Sequence, residues 1–83
     1  MALSGLMWRA NDREHPDILG EAYFDSATRE YLVVVTRGSE RREKRFHALY
    51  DPRFGIDYMD LVEIKSAAAR LADELREEKP EEH

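Results

Sequence analysis

Tyr31-Leu32-Val33-Val34-Val35-Thr36 is the stretch on which the fold turns. It is rich in β-branched residues and apolar at consecutive positions. Side chains on a strand alternate between faces, so an unbroken apolar run marks a central strand covered on both sides. On its N-terminal side the pattern has period two. Ile18, Gly20, Ala22 and Phe24 point one way, and Leu19, Glu21, Tyr23 and Asp25 point the other, as on a half-buried strand. Asp25-Ser26-Ala27-Thr28 between them is turn chemistry, because Asp and Ser side chains bond their own backbone two residues on. On the C-terminal side Gly38-Ser39 opens a second turn, and Arg45-Phe46-His47-Ala48-Leu49-Tyr50 alternates as a third strand. Both connections are short, which predicts an antiparallel meander.

Asp51-Pro52 ends the third strand, since Pro52 cannot donate to a ladder. Beyond it Leu61, Ile64, Ala68, Leu71 and Leu75 are spaced to draw one apolar stripe along an α-helix. The helix is predicted at 58 to 78 and stops before Pro80. Asp57 or Asp60 supplies its N-cap, and Asp60 followed by Glu63 has the form of a capping box. The predicted class is α+β: a three-stranded antiparallel meander with one C-terminal helix on one face. Residues 18–79 form this single domain. Residues 1–17 are an N-terminal arm with room for a short strand in residues 1 to 9, and residues 80–83 are a disordered acidic tail.

One helix covers one sheet face, yet the central run is apolar on both. Leu19, Tyr23 and Leu49 then stand on an open face unless the arm folds back with Met7 and Trp8. Large uncovered apolar faces are uncommon on soluble monomers, so a homodimer or protein partner is expected through Trp8, Leu19, Tyr23 and Leu49.

Composition narrows the function classes. At 83 residues the chain buries only about 60% of its unfolded surface, which leaves little room for a large pocket or a dinucleotide. With no cysteine, disulfide scaffolds and thiolate metal sites are excluded. No apolar run approaches the roughly 18 residues of a membrane span, and the N-terminal apolar cluster is too short for a signal-peptide core. A cytoplasmic protein with no membrane partner is the expectation.

The net charge of −5 is unevenly distributed. The middle of the chain is basic, with Arg37, Arg41, Arg42, Lys44 and Arg45 in the turn joining the second and third strands, and both flanks are acidic. A basic ribbon of this kind can lie against phosphates, which makes weak nucleic-acid binding the alternative function. Interleaved Glu40 and Glu43 also suit a solvated hairpin tip. Asp73, Glu74, Glu77 and Glu78 crowd the helix end where its dipole prefers cations.

Chemistry-bearing patterns are sparse. His15 and His47 lie far apart, with no carboxylate at a metal-ligand spacing and no serine in a nucleophile context. No catalytic residue, metal, cofactor or small-molecule substrate is inferred. Arg53 and Phe54, in the loop before the helix, are a candidate loop site for an anion or peptide. The leading expectation is a non-enzymatic interaction or regulatory module, because element order alone assigns no function.

Overall fold

The computed structural model describes residues 3–49 and 55–77. Four strands, β1 (Leu3–Asn11), β2 (Ile18–Asp25), β3 (Glu30–Arg37) and β4 (Glu40–His47), precede one helix, α1 (Tyr58–Glu77). The strands form one antiparallel sheet in chain order, β1-β2-β3-β4. The class is α+β, with four strands in place of the expected three. The fourth comes from the segment read as an arm: β1 pairs with β2 through Leu6↔Tyr23, Trp8↔Ala22 and Arg9↔Glu21. Two register shifts, at Leu3/Gly5 and Leu6/Trp8, interrupt the pairing. A bulge breaks strict alternation, which hides such a strand from a period-two reading.

The third expected strand also begins earlier than its apolar pattern. Arg37 pairs with Glu40, so the β3–β4 turn contains only Gly38 and Ser39. Gly38 has φ 61° and Ser39 is not left-handed, the signature of a type II′ hairpin turn. Glu40 to Arg45 are therefore strand rather than turn. An edge strand bearing charge on both sides has no hydrophobic alternation to reveal it.

The pairing registers sort the sheet into two faces. Ile18, Ala22, Phe24, Tyr31, Val33 and Val35 face α1 and meet Ile64, Ala67, Ala68, Leu71, Ala72 and Leu75. Phe24, Tyr31 and Phe46 extend this core as tilted ring pairs with centroids 5.8 and 5.5 Å apart. The helix packs chiefly on β3, then on β4 and β2, and β1 lies outside its main footprint.

Asp57 is the N-cap: its carboxylate accepts the Met59 N–H at 3.0 Å, and its carbonyl accepts the Leu61 N–H. Asp60 has a different role from the expected capping box. It is 2% exposed, and both carboxylate oxygens lie 3.1 Å from the Leu49 N–H, with the Tyr31 hydroxyl donating at 3.4 Å. It thus ties the exit of β4 to the first turn of α1. Burial, reinforced by the Asp60 charge and hydrogen bond, pushes the Tyr31 phenol up to about 12.

Candidate functional site

The face of the sheet turned away from α1 carries four cross-strand rows. They run Asn11-Leu19-Thr36-Arg41, Arg9-Glu21-Val34-Glu43, Leu6-Tyr23-Leu32-Arg45 and Leu3-Asp25-Glu30-His47. No second layer of the described residues lies over them. Even so, Leu32 and Val34 are each only 5% exposed. Their neighbours across the ladder are Tyr23, Glu21, Glu43 and Arg45, long side chains whose stems lie over apolar surface while their polar heads reach water. The central strand's second face is thus roofed by its own neighbours, a covering not anticipated from the apolar run alone. Apolar exposure on this face moves to the β1–β2 side, where Leu6 is 48% exposed and Leu19 and Tyr23 are half-buried.

The four residues expected to form one interaction surface are dispersed. Leu19 and Tyr23 share the open face. Trp8 is on the α1 side, packed against the core, so the arm does not fold back over the open face. A Cβ added at Gly20 would come 3.1 Å from the Trp8 ring and 3.6 Å from Ala68, so the indole sits in the gap that Gly20 leaves. Leu49 is 59% exposed but lies beyond β4, beside the start of α1. Leu6, the most exposed large apolar side chain described on the open face, was missed. Its side was set by the bulge at Met7, which a simple alternation cannot place.

The basic ribbon is likewise divided. Arg41 and Arg45 stand on the open face, Arg42 and Lys44 on the α1 side. Arg37 donates to Asp17 at 2.8 Å and to the Leu75 carbonyl. Arg41 donates to Glu43, Arg42 meets Glu74 at 3.5 Å, and Arg45 bridges Asp25 at 3.2 Å and Glu30 at 3.4 Å. Two of the crowded helix acids have partners too: Asp73 pairs with Arg76 as Glu74 does with Arg42. Among the five expected phosphate contacts, only Lys44 lacks an acidic partner among the described residues.

Asp25 is the buried member of this network, 3% exposed. Burial alone would raise its carboxyl, but the Arg45 guanidinium and the backbone amides of Ala27 and Thr28 outweigh it and hold it below the ordinary 3.8. The Arg37 hydrogen bond likewise holds Asp17 low. Burial and a hydrogen bond to Glu21 raise Tyr23. The two carboxylate shifts follow from structural ion pairs.

The histidines stay apart: His15 is in the β1–β2 loop, and His47 is at the opposite end of the sheet, 4.0 Å from Glu30. Among the described residues no group of three His, Asp or Glu could hold a metal ion. Nor is any described helix long and apolar enough to cross a membrane. Arg53 and Phe54 lie outside the described residues. A cleft of about 180 Å3 opens between β1 and α1, lined by Trp8, Gly20, Ala68 and Ala72 together with Arg13 and Lys65. Comparisons with protein-family models, with curated proteins and with solved structures gave no match.

Proposed function

We propose that the protein is a small cytoplasmic, non-enzymatic interaction module that self-associates through the β1–β2 half of its open sheet face. The observation that supports this reading is the lateral asymmetry of that face. Toward β4 the apolar residues Leu32 and Val34 are closed off, whereas toward β1 Leu6 is half exposed beside Tyr23, and Leu19 stands on the same face two rows along. A two-fold pairing of identical patches buries such a surface once on each copy. Charges of both signs accompany it, with Arg9 against Glu21 between the Tyr23 and Leu19 rows and Arg41 against Glu43 beside them, so two copies can meet without facing single-sign fields. The separation of His15 from His47 gives no convergent acid–base pair, in keeping with a non-enzymatic role. Internal pairing of four ribbon arginines weighs against nucleic acid as the principal partner.

Light scattering coupled to size exclusion tests the reading. The chain should run as a dimer at high micromolar concentration. Leu6→Lys with Leu19→Lys should return it to monomer while the thermal transition stays cooperative. A monomer at every concentration, or a dimer indifferent to both lysines, overturns it.

A further inference from the structure

The cleft between β1 and α1 lies on the sheet side opposite the proposed self-association surface, and its lining has a chemistry of its own. The inference drawn from it does not rest on the self-association reading.

The floor is apolar, formed by Ile18, Val35 and Ala72, with the Trp8 indole as one wall. The cleft exists because α1 lies across β2, β3 and β4 and leaves β1 outside its main footprint. Met7 and Trp8 fill part of the resulting wedge from the strand side. What remains is about 180 Å3, and a void of about 150 Å3 is enough for a benzene-sized ring.

The polar part of the lining decides the charge of an occupant. Asn11, Asp12 and Arg13 supply it from the end of β1 and the loop beyond, and Lys65 supplies it from α1. Asp12 is fully engaged: it accepts the Glu14 and His15 amides on one oxygen and the Arg76 guanidinium at 2.8 Å on the other. Asn11 donates its amide to the Pro16 carbonyl. Arg13 and Lys65 have no acidic partner among the described residues, unlike most arginines of the sheet. Two cations without an acidic partner among the described residues, in the lining of an aromatic-walled cleft, complement a ligand with an apolar ring and an anionic group. We infer that this cleft binds a small aryl carboxylate, its ring against Trp8 and its carboxylate toward Arg13 and Lys65.

Trp8 is the chain's single tryptophan, so its fluorescence reports on the cleft directly. The probes are phenylacetate and its neutral isostere phenylacetamide, titrated into the full chain with parallel amide NMR spectra. Phenylacetate should change the fluorescence saturably and shift the Gly20, Ala68, Ala69 and Ala72 amides, with phenylacetamide at least tenfold weaker. Arg13→Gln with Lys65→Gln, both exposed and without an acidic partner among the described residues, should bring phenylacetate down to the level of the amide. Linear quenching with scattered amide shifts overturns the inference. Equal affinity for the two probes, or an acid preference that survives the double variant, overturns it as well. Running the titration on Leu6→Lys separates this result from the oligomeric state.

Discussion

The two outer strands of the sheet face the same hazard and meet it by different means. Each presents one unpaired row of backbone groups to solvent, a template for strand addition. On β4 the defence is charge. In any antiparallel self-pairing centred between residues 42 and 44, two bases come directly opposite each other or face themselves across the axis, as Arg42, Lys44 or the Arg41–Lys44 pair does. On β1 the defence is geometry, through register shifts at Leu3/Gly5 and Leu6/Trp8. The contrast has a consequence for surface chemistry. A strand guarded by charge has few apolar side chains to offer, whereas a strand guarded by bulges keeps them. Hence β1 places Leu6 on one face and Met7 and Trp8 on the other, and both candidate surfaces of this protein adjoin it.

The flanks also differ in how firmly they are held. At the β4 end, buried Asp60 joins Leu49 and Tyr31 to the helix. At the β1 end, a half-buried indole and the Arg76–Asp12 pair make the connection. Asp60→Ala leaves the part-buried Leu49 amide and the buried Tyr31 phenol without their acceptor, which should cost about 3 kcal/mol. At roughly 4 to 8 °C per kcal/mol for a domain of this size, the melting temperature should drop by at least about 12 °C. Asp60→Asn, which keeps an acceptor oxygen, should recover part of the loss. Trp8→Ala comes next. The ring is only partly buried, so about 2 kcal/mol is expected, below the range for a fully buried tryptophan. A larger loss from Trp8→Ala than from Asp60→Ala would show β1 to be the better anchored flank, and the contrast would reverse.

Those two residues also show where the sequence was legible. The core run 31–36, the strand from Ile18 and the helical stripe from Leu61 to Leu75 were readable because one periodicity governed each. They form β3, β2 and α1 with boundaries within a residue or so of those expected. β1 was harder because its bulge puts Met7 and Trp8 toward the core in succession, which suits neither strand nor helix periodicity. The start of β4 was hidden by charge. At the candidate surfaces, Leu19 and Tyr23 were recognisable from alternation. The roofing of Leu32 and Val34 depends on which long side chains stand across the ladder, and therefore on register. The cleft depends on the lateral placement of α1, which no local pattern encodes. Asp60 was read as a helix cap because its partner Leu49 is eleven positions away and outside the helix.

The smallest expected effect concerns pH, and it separates the flanks by electrostatics alone. Asp25 joins β2 to Arg45 on β4 across the width of β3. Its folded carboxyl lies below the ordinary 3.8, so the folded state binds that proton less readily than the unfolded chain does. Stability from this group is therefore fully present above the unfolded value and is lost as pH falls through the lowered one. Asp17 at Arg37 acts in the same direction, at the far end of β3. Between pH 7 and 5 neither contributes a slope. Below about pH 4 both begin to protonate, and Arg45 and Arg37 lose their counterions. Among the described residues of β1 itself the ion pair is the exposed Arg9–Glu21 contact at 3.6 Å, of the kind that contributes at most about 1 kcal/mol, and Arg76–Asp12 follows at the strand's end. Amide exchange followed from pH 5 to 3, corrected for the intrinsic rate, should show β4 losing protection before β1. Asp25→Asn should remove most of that difference while changing little at pH 7 beyond the lost ion pair. Simultaneous loosening of both outer strands would mean that Asp25 does not hold β4, and that its charge protects the edge without securing it.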